Sequence, residues 1–134
     1  LGIARIINPL LLVTGDLSFL HDINGFLTEN AKNLNLKILI INNNGGNIFN
    51  RLYRYNLNEI DLEKLFLMKR SVNWEKLSEA HEIPYRSVLS LEKLKDAIQW
   101  SLSFKKSAII RVNIDTDYEI EERKNLFKYI FENY

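Results

Sequence analysis

A three-layer α/β/α architecture built on a mainly parallel sheet is the fold class this sequence predicts, and three observations predict it. Short apolar runs alternate along the chain with longer runs of helical spacing, the order expected of β-α-β units. The apolar runs are continuous rather than alternating, which fits strands covered on both faces and argues against an antiparallel sandwich. The 134 residues, 46% of them hydrophobic, amount to one domain able to hide roughly two-thirds of its unfolded surface. No internal repeat and no Pro-, Gly- or Ser-rich linker divides it.

Taken in order, Leu10 to Thr14 follows Pro9 and predicts a fully buried strand closed by Gly15. Ser18 to about Lys32 predicts a helix, with Phe19, Ile23, Phe26 and Leu27 at helical spacing. Lys37 to Ile41 is a second β-branched strand, ended by the cluster Asn42-Asn-Asn-Gly-Gly46. The polar and aromatic stretch from Asn47 to about Val72 has no clear periodicity, apart from a short helix over Asp61–Met68. Asn73 is placed to cap a helix through Glu82 that Pro84 stops, and Tyr85–Leu89 is a short strand. Ser90 opens the next helix, whose stripe is Leu91, Leu94, Ala97, Ile98 and Leu102. Ser107–Ile114 is a further strand. A last helix, Ile120–Tyr134, turns Ile120, Phe127, Ile130, Phe131 and Tyr134 inward.

Composition excludes several function classes. With 18 Lys and Arg against 17 Asp and Glu, the net charge of +1 gives no general pull toward nucleic acid or an anionic membrane. The absence of cysteine removes disulfides, thiolate metal sites and a cysteine nucleophile, and two histidines, His21 and His81, cannot build a His-rich zinc site. The apolar runs, such as Leu10 to Val13, stop far short of the ~20 residues of a membrane span. No secretory signal pattern opens the chain, and a start at Leu1 rather than Met is expected of a piece of a longer polypeptide. The abundance of Asn, Ile and Lys resembles the product of an AT-rich genome.

In an open parallel sheet, ligands bind beyond the carboxyl ends of the strands. Two strand ends here are unusually polar: Gly15-Asp16, followed by Leu17 and Ser18 at a helix start, and the cluster at Asn42–Gly46. Asp16 and Asn43 lie 27 residues apart, about one β-α-β step, so neighbouring strands would put both into one crevice. A carboxylate, a carboxamide and a backbone carbonyl at Gly45 are hard oxygen donors of the kind Mg²⁺ takes alongside phosphate oxygens. The Leu17 and Ser18 N–H groups can donate to a phosphate. The composite is a Mg-diphosphate cradle. Taken singly, the Gly-Asp pair is also an ordinary turn and helix cap, and the Asn-Gly cluster an ordinary loop. Dinucleotide binding is disfavoured, because no Gly-x-Gly-x-x-Gly follows the first strand.

The pairing of Gly15-Asp16 with Asn42-Asn43 resembles the cofactor motif of thiamine-diphosphate-dependent enzymes. The strings Gly15-Asp-Leu-Ser-Phe-Leu-His-Asp-Ile-Asn-Gly25 and Ile41-Asn-Asn-Asn-Gly-Gly-Asn-Ile-Phe49 are similar to one branch in particular, the 2-succinyl-5-enolpyruvyl-6-hydroxy-3-cyclohexene-1-carboxylate synthases of menaquinone and phylloquinone biosynthesis. Trp74 to Arg86 and Ala108 to Asp117 are similar too, so the resemblance covers nearly the whole chain. It implies the carboxyl-terminal diphosphate-binding domain of a three-domain enzyme that decarboxylates 2-oxoglutarate and adds the resulting carbanion to isochorismate. It also implies that Asp16, Asn43 and the Gly45 carbonyl ligate Mg²⁺, or Mn²⁺ in its place. Gly15, Leu17 and Ser18 would stand at the diphosphate, and Ile48 and Phe49 would line the apolar wall beside the thiazolium, with Leu52 extending it. Without the resemblance, Ile48 and Phe49 read equally well as core.

Some residues depart from the pattern. Asn47 stands where the branch often has Gly, and Met68-Lys-Arg-Ser-Val72 does not follow its Thr-Pro-His. Lys69 and Arg70 read as a solvated pair, and His21 as a helix-packing residue. Acetolactate-synthase and oxalyl-CoA-decarboxylase relatives carry Gly-Asp-Gly where Leu17 follows here. They remain the same-class alternative, and a non-catalytic α/β remnant the other. The resemblance places the activating glutamate, and most substrate-binding cations, in an amino-terminal pyrimidine-binding domain and a middle domain outside this segment. No catalytic residue is therefore expected within it, and the segment alone is expected to be inactive. A homodimer or homotetramer is implied, in a bacterial cytoplasm or a plastid stroma.

Overall fold

The computed structural model describes residues 1–28, 30–47, 67 and 71–133. Among them, strands β1 (Leu10–Gly15), β2 (Leu36–Asn42), β3 (Tyr85–Val88) and β4 (Ala108–Asn113) form an all-parallel sheet ordered β1-β2-β4-β3. Helices α1 (Asp16–Asp22), α2 (Trp74–Ala80), α3 (Leu91–Leu102) and α4 (Thr116–Asn133) join them. The α/β class is the predicted one, and the two strands expected to flank one crevice are neighbours, with Gly15 in register with Ile41.

Because side chains alternate along a strand, the register sorts the sheet into two faces. One face carries Leu10, Leu36, Ile38, Ile40, Ile109 and Tyr85, packed against Phe19 and Ile23 near α1, Trp74 of α2, and Ile83. Trp74 stands 6.1 Å from the Phe19 ring and under the Arg111 guanidinium. The other face carries Leu39, Ile110, Val88 and Val112 against Leu94, Ala97, Ile98 and Trp100 of α3. Ile38, Ile40, Ile109 and Ile110 are wholly buried, each contributing about 1.5–3 kcal/mol through removal from water.

Several elements differ from expectation. β1 is not fully buried: Leu11, Leu12 and Val13 are 53%, 43% and 57% exposed. Among the described residues it is an edge strand with one neighbour, and none of its residues belongs to the cluster under α3. The helix expected over Ser18–Lys32 starts at Asp16 and ends at Asp22, giving way to 3₁₀ turns at Ile23–Leu27 and Ala31–Asn33. Asn24-Gly25 weakens the helix there, and Asn30 takes a left-handed φ of 61°. Leu27, expected on its apolar stripe, is exposed, and so is His21, which packs against no core.

Asn73 caps α2 as predicted, its Oδ1 accepting from Lys76 N at 3.0 Å. Ser90 holds the cap position of α3, but its side chain makes no capping bond. Leu102, at the end of the predicted α3 stripe, is exposed. The largest correction concerns α4, which begins at Thr116 and buries none of its 18 residues. Phe127, Ile130 and Phe131, expected to face inward, are exposed, because none of them reaches either core cluster. Ile120 is half-buried. The expected helix over Asp61–Met68 lies outside the described residues apart from Leu67, as do Lys69, Arg70 and Tyr134.

One buried cation ties the amino-terminal end of the sheet together. Lys37, 2% exposed, opens the second strand on the α3 face. Its Nζ donates to the carbonyls of Phe104 at 2.9 Å and Lys106 at 2.7 Å, in the segment that follows α3. Burial pulls its pKa below the ordinary lysine value. Between that lowered value and the ordinary one, the folded chain binds fewer protons than the unfolded chain, so this group's contribution to stability rises with pH across that window. Lys37→Met, which strands two carbonyls, is expected to cost about 1–3 kcal/mol in urea unfolding at neutral pH. The gap to wild type should widen as pH climbs through the window; a constant gap would contradict the depressed pKa.

Candidate functional site

The site grows from the adjoining carboxyl ends of β1 and β2. Gly15 closes β1 in extended conformation (φ −79°, ψ 161°) and hands the chain to α1, whose first residue is Asp16. With no side chain at the cap position, the Asp16 carboxylate serves the loops instead. Oδ1 accepts from Leu17 N at 2.9 Å, and Oδ2 accepts from Gly45 N at 2.8 Å, across 29 residues of sequence. Asp16 is 6% exposed, and among the described residues no cation pairs with it. A buried carboxylate is costly unless hydrogen-bonded or joined to a cation. Here two N–H groups satisfy part of each oxygen and leave further lone pairs on both.

The facing loop is held from several sides. Ile114 N donates to Asn42 O at 2.8 Å, extending the β2–β4 pairing, and Asn42 Nδ2 donates to Asn113 Oδ1 at 2.9 Å. Asn44 and Gly45 then take left-handed φ values of 63° and 127°. Asn tolerates that region and glycine enters it freely. Gly45 and Gly46 are buried; Gly46 N donates to Leu67 O, and Asn47 N to Gly45 O at 2.9 Å. Asn47 Nδ2 donates to Asn43 O and, at 3.1 Å, to Thr116 Oγ1, whose hydroxyl stands 3.4 Å from Asn43 O.

Of the residues singled out from sequence, Gly15, Asp16, Leu17 and Ser18 lie at the β1–α1 junction and Asn43 and Gly45 on the loop after β2, the two clasped at one sheet end. Ser18 is exposed, and Leu17 and Asn43 are half-buried. The Leu17 N–H and the Gly45 carbonyl, expected to face a ligand, each already have an internal partner. For the carbonyl, one lone pair remains. Ile48, Phe49 and Leu52 lie outside the described residues. Sequence reasoning missed Thr116, Asn113 and the part played by Asn47. No local signal pointed to Asn113 and Thr116, whose bonds to Asn42, Asn43 and Asn47 span 69 to 73 residues; Asn47 also bonds Asn43 O four residues away.

The donor set suits a small hard cation. Asp16 offers a carboxylate, Asn43 a carboxamide that bonds to no described residue, and Gly45 a carbonyl. No cluster of three or more His, Cys, Asp or Glu is found among the described residues. This sparse set is what a Mg²⁺ needs when phosphate oxygens complete its shell.

Comparison with known proteins shows the family of the chain. Residues 1–112 match the thiamine pyrophosphate enzyme C-terminal TPP binding domain. The chain is 58% identical over 130 residues to 2-succinyl-5-enolpyruvyl-6-hydroxy-3-cyclohexene-1-carboxylate synthase of Prochlorococcus marinus strain AS9601, covering 97% of this chain and 22% of that protein. It is 57% identical over 133 residues to the same-named protein of strain MIT 9515, covering 99% and 23%. The chain thus spans about a fifth of the length of these curated relatives. In fold it is similar to benzoylformate decarboxylase from Polynucleobacter necessarius, with a TM-score of 0.66 at 21% identity over 86% of this chain and 21% of that one.

The left-handed loop makes its own prediction. Gly45→Ala, at φ 127°, should cost about 1–3 kcal/mol in chemical denaturation. A neutral result would mean that the loop does not hold this conformation.

Proposed function

The chain belongs to the thiamine pyrophosphate enzyme family as its C-terminal TPP-binding domain, and from that premise we propose that it is the diphosphate-binding domain of a 2-succinyl-5-enolpyruvyl-6-hydroxy-3-cyclohexene-1-carboxylate synthase. In this reading the whole enzyme decarboxylates 2-oxoglutarate and joins the remaining four-carbon unit to isochorismate. The observation that carries it is the clasp between the Asp16 carboxylate and Gly45 N–H. It joins the two cofactor motifs in a chain more than half identical to two such synthases.

Asp16, the Asn43 carboxamide and the Gly45 carbonyl would hold Mg²⁺, with Gly15, Leu17 and Ser18 bordering the diphosphate and Ile48 and Phe49 beside the thiazolium. Thiamine diphosphate, when bound, supplies the nucleophilic carbon and the electron sink that decarboxylation requires. The residues of this chain anchor and orient. The buried position of Asp16 strengthens its hold on a cation by keeping water from competing for it. Gly15, lacking a side chain, lets a ligand approach the main chain closely, and nothing stands within 4 Å of where its Cβ would be.

The apolar residues left exposed on β1 and α4 support a domain that packs inside a larger enzyme. That enzyme would supply the pyrimidine-binding and middle domains and a second subunit, and would work in a bacterial cytoplasm or a plastid stroma.

Titration calorimetry of the full-length protein with thiamine diphosphate should show Mg²⁺-dependent binding. Asp16→Ala should weaken it at least about 30-fold, the equivalent of about 2 kcal/mol. Unchanged affinity would remove Asp16 from the cradle. Incubation with 2-oxoglutarate and isochorismate should yield the condensed product, whereas turnover of pyruvate alone would assign the chain to a different thiamine enzyme.

A further inference from the structure

We infer that Thr116 is a positioning residue for the cofactor loop, acting through Asn47 on the main chain that carries Asn43 and Gly45. The inference rests on the proposed function and adds to it a residue outside both cofactor motifs. Four contacts place it there. The segment that leaves β4 holds two consecutive carbonyls of the loop: Ile114 N donates to Asn42 O, and the Thr116 hydroxyl stands 3.4 Å from Asn43 O. Asn47 Nδ2 completes a triangle by donating to Asn43 O and, at 3.1 Å, to Thr116 Oγ1. The Asn43 carbonyl is therefore gripped by two donors that also bond each other.

Thr116 is free for this task because another residue caps its helix. At the start of α4, the Asp115 carboxylate accepts from Asp117 N at 3.0 Å and Tyr118 N at 3.1 Å, the usual work of a capping side chain. The Thr116 hydroxyl, at the first helical position, turns to the loop instead.

The loop needs such a hold. Asn44 and Gly45 both take left-handed φ, so the chain reverses sharply between Asn43 and Gly46. On one side Asp16 fixes the Gly45 N–H. On the other side, among the described residues, the 113–116 segment and Asn47 hold Asn42 and Asn43. Loosening that side frees the Asn43 carboxamide while leaving the Asp16 clasp intact. Asn47, standing where the branch often has Gly, is then not an idle departure, because its amide links the two sides of the turn, and a glycine there has no side chain to do so.

The test uses the full-length protein, with thiamine diphosphate titrated at saturating Mg²⁺ and, separately, Mg²⁺ titrated at fixed cofactor. Thr116→Val removes the hydroxyl at nearly constant volume and should raise both apparent dissociation constants about tenfold, with kcat at saturating cofactor within about threefold of wild type. Thr116→Ser should restore binding to within about twofold. Asn47→Ala should match Thr116→Val, and the double variant should be no more than about threefold worse than either single one. Wild-type affinity in Thr116→Val, failure of Thr116→Ser to rescue, or a hundredfold additive loss in the double variant would each overturn the inference. A wild-type protein that binds no thiamine diphosphate would instead overturn the proposed function, so the two failures are distinguishable.

Discussion

The Asp16 carboxylate is the constraint around which the rest of the site is arranged. It is buried at the joint between β1 and α1, and its two oxygens take N–H groups from its own helix and from a loop 29 residues away. An isolated carboxylate at this depth would have to shed its charge or find partners. The partners it finds are backbone donors, which satisfy it in part and keep lone pairs in reserve. Under the proposed function, stability and cation affinity would come from the same group, because the N–H donors that make the buried charge tolerable leave lone pairs on both oxygens.

The opposite end of the sheet shows a contrasting solution. Lys37 is as buried as Asp16, but its ammonium is spent on two carbonyls beyond α3 and serves only to hold the layers together. Between these poles the wholly buried isoleucines of β2 and β4 supply a stiff floor. A parallel sheet sends all of its carboxyl ends to one side, so the polar loops collect there and the closed, apolar work is done below them. The exposed faces of β1 and α4 do not share in this closure. Their apolar side chains stay uncovered by the described residues of a chain that spans about a fifth of the length of its curated relatives.

Much of the fold was legible because the relevant signals are local. Continuous β-branched runs marked β2 and β4, Asn73 and Pro84 bounded α2, and the spacing of Leu94, Ala97 and Ile98 marked α3. Expectation failed where burial was inferred from apolarity alone. Leu11, Val13, Phe127 and Phe131 are apolar in a pattern that suits a core, yet each faces outward among the described residues. A hydrophobic stripe records that a surface has a partner, not that the partner lies in the same stretch of chain. The helix after β1 failed for another reason: Asn24-Gly25 and the left-handed Asn30 outweigh an apolar spacing that continues through them.

For the site, the sequence by itself determined the donors. Gly15-Asp16 and Asn43 to Gly45, separated by one β-α-β step, specify a carboxylate, a carboxamide and a glycine hinge at two strand ends, and their chemistry points to a hard cation and a diphosphate. Only the tertiary structure decided how those donors are held. That the Asp16 carboxylate bonds the Gly45 N–H, and that Thr116 and Asn47 close on the Asn43 carbonyl, depends on β4 lying beside β2 and on where the chain turns after it. Residue types and short spacings are written locally. Hydrogen bonds between segments some 30 to 70 residues apart exist only once the strand order has brought them together.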